Sequence, residues 1–107
     1  MKAVVVSYLP FSSYVRRKLE SAGIKEIVSY FKHKNAWKSY KDILEVCDKE
    51  EADACVIIAN WHTAINLLAN GVGNVFVLSD VQHNRKGEIT DCSITHIYGT
   101  IDIKEID

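Results

Sequence analysis

Three of the four histidines fall in short polar segments: His33 in Lys32-His33-Lys34, His62 in Asn60-Trp61-His62-Thr63, and His83 in Gln82-His83-Asn84-Arg85-Lys86. Each has the company that phosphate chemistry uses. Imidazole moves protons near neutral pH, Lys and Arg stabilise the charge that gathers on a phosphate under attack, and backbone N–H groups at a helix start join Ser or Thr hydroxyls to hold the anion. Ser12 and Ser13 supply such hydroxyls in the segment after the first apolar run. His62 and Arg85 are therefore the candidate catalytic pair, with Ser12, Ser13, Lys32, Lys34, Asn60, Trp61, Thr63 and His83 as candidate ligand contacts.

Each of these residues also has a plain structural reading. His62, in the first turn of a helix, either accepts a proton from a hydroxyl or packs beside Trp61. The Lys-His-Lys turn serves equally as a solvated turn, and His83, Arg85 and Lys86 equally form the tip of a surface hairpin. His96 sits in a strand pattern and reads as structural. Trp37, Trp61, Tyr8 and Tyr30 would stack on a base if they face a cleft, and otherwise pack in the core. Asp80 stands at a strand end as a lone acid or base.

Other chemistries find less support. No pair of histidines stands at i, i+4 spacing with a third ligand, so the chain predicts no metal site and no cofactor. There is no G-x-G-x-x-G and no G-x-x-x-x-G-K-S/T, which speaks against an ordinary dinucleotide or Walker-type site. Cys47 lies on an apolar helix stripe, Cys55 in mid-strand, and Cys92 has no base beside it in sequence.

Something must bring those polar segments together, and the apolar pattern says what. Lys2–Leu9 is nearly continuous in β-branched residues, as a strand covered on both faces should be, and Pro10 stops it. Val15, Leu19 and Ala22 then recur at helical spacing between Ser12 or Ser13 as cap and Gly23 as terminator. Ile24–Phe31 reads as a second strand. Ala36, Trp37, Tyr40, Ile43, Leu44 and Cys47 trace a second helix, closed by the acidic run Asp48–Asp53. Ala54–Ala59 is a third strand; Asn60 caps a third helix carrying Trp61, Ala64, Ile65 and Leu68; Asn74–Leu78 is a fourth strand.

Alternation of strand and helix predicts one α/β domain over residues 1–107, a Rossmann-like three-layer sandwich with a mainly parallel sheet. After Asp80 the pattern changes to a hairpin turning near Asn84–Gly87, and then to Cys92–Ile103, with Gly99 at a bulge or close approach. The last residues read as a C-terminal edge strand or an exchange arm. In such a sheet, ligands collect beyond the carboxyl ends of the strands, which is where the polar segments fall.

Composition bounds the partners. Thirteen basic and fourteen acidic side chains give a net charge of −1, so no duplex nucleic acid is expected. The charge is uneven: residues 1–41 hold nine basic and two acidic side chains, whereas 42–56 hold one and six, which allows a local anion-attracting face. Apolar runs such as Ala3–Val6 are far too short to cross a bilayer, so no membrane is expected. Three cysteines without a Cys-x-x-Cys, and no long apolar core at the N-terminus, predict a reducing, cytoplasmic setting.

The run Val6-Ser7-Tyr8-Leu9-Pro10-Phe11-Ser12, the later Val56-Ile57-Ile58-Ala59-Asn60-Trp61-His62-Thr63-Ala64 and the polar Arg85–Thr90 segment resemble, in arrangement, the small stand-alone CRISPR-associated ring nucleases with a Rossmann-like core. The matching pieces cover about half of the chain, and Leu9 stands where those enzymes carry a polar or basic residue. The resemblance implies a metal-independent phosphodiesterase that binds and cleaves cyclic oligoadenylate second messengers of type III defence, as a cytoplasmic homodimer. His62 would be the histidine that begins the third helix, with Ser12 and Arg85 facing the ligand. Such a ring carries a 2′-hydroxyl beside each scissile phosphate. In-line positioning lets that oxygen attack phosphorus and expel the 5′-oxygen, leaving a 2′,3′-cyclic phosphate.

Two readings from other classes compete. One is a non-catalytic nucleotide- or anion-binding module, a sponge or sensor. The other is a protein-interaction domain whose basic N-terminal third meets an acidic partner.

Overall fold

The backbone of the first segment leaves little choice of structure, since Val4, Val5 and Val6 are stiff at χ1 and fit a pleated surface. The computed structural model describes residues 1–7, 10–31, 39–58, 60–99 and 102–106. Its elements are β1 (Lys2–Ser7), α1 (Ser13–Ser21), β2 (Glu26–Phe31), α2 (Tyr40–Glu50), β3 (Ala54–Ile58), α3 (Trp61–Ala69), β4 (Asn74–His83), β5 (Ile89–Tyr98) and β6 (Asp102–Ile106). The strands form one mixed sheet in the order β2-β1-β3-β4-β5-β6. β2, β1, β3 and β4 run parallel, and β5 and β6 are added antiparallel.

The helices are placed by their caps and by apolar residues one turn apart. Ser12 Oγ accepts from Val15 N at 3.3 Å to start α1, whose Val15 and Leu19 are buried, and Gly23 at φ 103° follows its end. Ser39 and Asp42 form a capping box on α2, which ends at Glu51 in the left-handed region at φ 53°. Asn60 Oδ1 accepts from Thr63 N at 3.0 Å and opens α3.

Alternation along the strands divides the core in two. Ala3, Val5, Ala54, Val56, Phe76 and Leu78 face α1, whereas Val4, Val6, Cys55, Ile57, Val75 and Val77 face α2 and α3. One helix thus covers one face and two cover the other.

The expected order of strands and helices is present, with local differences. β2 begins at Glu26, because the Ile24 N–H donates to Leu19 O in the α1 terminus. Ser39 is extended and starts the helix at Tyr40, so the expected helical stripe begins later; Ala36 and Trp37 lie outside the described residues. β4 extends to His83, well past the expected Leu78. The segment Cys92–Ile103 is two strands and not one, since Gly99 at φ 63° turns the chain between β5 and β6. β6 pairs with β5 of its own chain, which makes it an edge strand. No helix among the described residues is long and apolar enough to cross a membrane.

Candidate functional site

Parallel pairing brings the carboxyl ends of four strands to one edge of the sheet: Ser7 opposite Phe31, Val6 opposite Ile57, and Ile58 opposite Leu78. The chain leaves β1 toward β2 on one side and crosses from β2 to β3 on the other, so β1 and β3 flank the point where strand order reverses. That point is where open α/β sheets form their crevices. α1 and α3 both begin at this edge, on opposite faces.

The sequence-predicted residues fall into two groups there. On the α1 side, Ser12 N donates to Ile89 O at 2.9 Å, and Ile89 is the ladder partner of His83. The Ser12 hydroxyl is occupied by the helix cap and lies 3.5 Å from Thr90 O, while Ser13 is exposed in the first turn of α1. On the α3 side stand Asn60, Trp61, His62 and Thr63, of which the first three are exposed. The hairpin turn expected near Asn84–Gly87 is present, closed by Asn84 Oδ1 accepting from Lys86 N and Glu88 N at 3.0 Å each. It carries Arg85 into solvent beyond the sheet. The side chains of His62, His83 and Arg85 make no hydrogen bond or ion pair among the described residues. Lys32 and Lys34, with His33, lie outside the described residues, as do Tyr8 and Leu9.

A cleft of about 570 Å³ opens beside Trp61. Its floor follows from the register. On the α3 face, β4 presents Val75, Val77 and Ser79, and β5 presents Ile97, Thr95 and Ser93 opposite them. The surface is apolar under α3 and turns to hydroxyls beyond Trp61, where the helix begins. Trp61 itself is 46% exposed, unusual for an indole beside a core. Thr95 is the reverse case: it is 9% exposed, and its hydroxyl has no hydrogen-bond partner among the described residues. An unsatisfied buried hydroxyl costs on the order of 1–3 kcal/mol and calls for an explanation.

Charge enters the cleft from α1 and the β4–β5 arm. Lys18 Nζ donates to Cys92 O at 3.1 Å and lies 3.7 Å from Asp91 Oδ1, over the Tyr14 ring. Asp80 lines the same space in the left-handed region at φ 49°, where two residues of β4, Asp80 and Val81, bulge opposite Cys92. Burial pushes the Cys92 thiol up, against the pull of the Lys18 cation, which disfavours the thiolate that a nucleophile needs. Cys47 and Cys55 are buried in the α2–α3 core.

Tyr30 packs against that core and donates to Glu50 Oε1 at 2.6 Å. His96 has a structural role, stacked on Phe76 at 4.1 Å with Nε2 2.9 Å from Asn74 Oδ1. No group of three or more metal-ligating side chains is present among the described residues.

Trp61, Asp80 and Gln82 were legible as strand-end residues, but Lys18, Asp91, Ser79, Ser93 and Thr95 were not. Lys18 stands three residues after Val15, within the helix's own apolar spacing, and Ser93-x-Thr95-x-Ile97 grades from hydroxyl to apolar along one face; those were the available signals. Comparison with protein-family models, curated proteins and solved structures finds no match for this chain.

Proposed function

We propose that this α/β domain, read as Rossmann-like and three-layered, binds a phosphorylated nucleotide at the carboxyl edge of its sheet, and that cyclic oligoadenylate cleavage is the sharpest form of that activity. One observation carries the reading: the half-exposed Trp61 ring stands between the N-terminus of α3 and an open cleft. Asn60 Oδ1 takes the Thr63 amide, which leaves the Trp61 and His62 amides of the α3 first turn to favour an anion, while an indole face favours a base. A ligand with both groups fits that juxtaposition better than either alone.

In the catalytic form, the substrate's 2′-hydroxyl gives up its proton as its oxygen attacks phosphorus, the P–O5′ bond breaks, and O5′ takes up a proton, so none is gained or lost overall. His62, adjacent to Trp61, would move a proton in this exchange. Arg85 on its exposed arm, with Lys32 and Lys34, would supply positive charge. A two-fold homodimer would match the symmetry of a ring.

A second reading has its own support. No side chain among the described residues holds the His62 ring, whereas catalytic imidazoles are usually oriented by a third group. That favours capture without cleavage, as a sponge or sensor. Incubation with cyclic tri-, tetra- and hexa-adenylate in EDTA, beside His62→Ala, separates the two. Products lost in the variant support the nuclease, intact rings co-eluting with both proteins support capture, and neither result sinks both readings in favour of an interaction domain.

A further inference from the structure

We propose that the cleft beside Trp61 receives the uncharged nucleoside end of the ligand, with the Thr95 hydroxyl as its buried hydrogen-bonding anchor. The proposal rests on the nucleotide reading above and adds which part of the ligand enters the cleft. Thr95 is nine-tenths buried, lines the cleft, and leaves both its donor and its acceptors without partners among the described residues. Every other described side chain of its depth on that face is apolar and packed. A hydroxyl kept at such a position has its partner outside the chain.

The rest of the lining selects the partner's chemistry. Among the described residues of the lining, an anion would meet Asp80 and Asp91 against one cation, Lys18, which is already engaged by Asp91 and the Cys92 carbonyl. The charge balance therefore keeps phosphate out and leaves it to the α3 N-terminus. A purely apolar ligand would strand the hydroxyls of Ser79, Ser93 and Thr95. What fits is a flat, uncharged ring that stacks on Trp61 and carries amino and hydroxyl donors for the two carboxylates. The volume, about 570 Å³, is in the range of sites for ligands of that size. Because Trp61 is the first residue of α3, a phosphate attached to that nucleoside reaches the helix amides next to it.

Titration of ¹⁵N-labelled protein with adenosine, ribose, inorganic phosphate and cyclic tetra-adenylate tests this. Adenosine is expected to shift the Trp61 indole and the Ser93 and Thr95 amides, and Thr95→Val, which keeps the shape and loses the hydroxyl, to weaken it about tenfold. Trp61→Ala, at an exposed position, serves as the second variant should Thr95→Val disturb the fold, with a similar loss expected. Unmoved cleft amides with adenosine, or full affinity in these variants, would overturn the proposal. So would ribose alone reproducing the adenosine shifts, since the base would then be unread. Cyclic tetra-adenylate binding while adenosine is silent refutes the cleft assignment and leaves the nucleotide reading standing. Adenosine binding while phosphate and cyclic tetra-adenylate are silent supports the cleft and removes the phosphorylated ligand.

Discussion

The Ser12 N–H donates to the Ile89 carbonyl at 2.9 Å, and the Ile89 N–H returns a bond to Pro10 O at 2.8 Å. The segment after β1 is thereby stitched to the turn end of the β4–β5 arm, with Phe11 bridged to Ile89 in parallel register. The same Ser12 caps α1 through its hydroxyl. Ser12→Ala is expected to cost about 1 kcal/mol in urea denaturation, with Ser12→Asp retaining most of the stability. An unchanged midpoint in Ser12→Ala would show that the cap is dispensable.

Glu51 ends α2 in a conformation that suits glycine, at φ 53°. Its side chain is exposed, so little packing is lost on removing it. Glu51→Gly is expected to raise stability by roughly 0.5–1 kcal/mol, and Glu51→Ala to leave the strain in place. Thermal unfolding of the pair provides the check.

Stability should fall as pH rises above about 9. The Cys55 thiol is held well above its ordinary 9.0 by its hydrogen bond with Cys47 and by burial, a rise that outweighs the lowering that the same bond gives Cys47, and burial also raises Cys92. The unfolded chain therefore releases these protons first, binds fewer of them than the native state, and gains stability relative to it as pH increases. The thiols' contribution is complete below pH 9 and is lost on the way to their native values. Tyr30, raised by its hydrogen bond to Glu50, adds in the same direction at higher pH. Urea curves from pH 7 to 10.5 should show the decline, with a shallower slope in Cys55→Ala; a flat profile would contradict it.

The sheet separates two cores, and this has an energetic signature. Ile24→Val on the α1 side and Ile43→Val on the α2 side are each expected to cost roughly 0.5–1.5 kcal/mol. Combined, they should add to within about 0.5 kcal/mol, because no shared neighbour links them. A larger coupling would mean that the strands transmit packing strain across the sheet.

The parallel half of the fold was readable because Val4–Val6, Val15/Leu19 and Ala64/Leu68 keep a single period over the length of each element. The antiparallel half was readable only at its turn, Asn84–Gly87, where Asn and Gly chemistry is local. The length of β4 was hidden because Ser79–His83, interrupted by the bulge at Asp80 and Val81, has no apolar alternation. Thr95 shares the face of Ile97 by alternation, but only its cross-strand register with Val77 brings it under the rim of α3. The engagement of Lys18 with Asp91 joins segments more than seventy residues apart, a relation that no local pattern encodes.

The nine residues of α3 act as a ruler for the cleft. At 1.5 Å per residue the helix is about 13 Å long, enough to roof two alternate positions on each strand beneath it. One more turn at its N-terminus would lay about 5 Å of helix over Ser79 and Ser93, and the opening would become interior. One turn fewer would uncover Val77. The boundary between what this face excludes and what it admits is thus drawn by where a single asparagine, Asn60, chooses to start a helix.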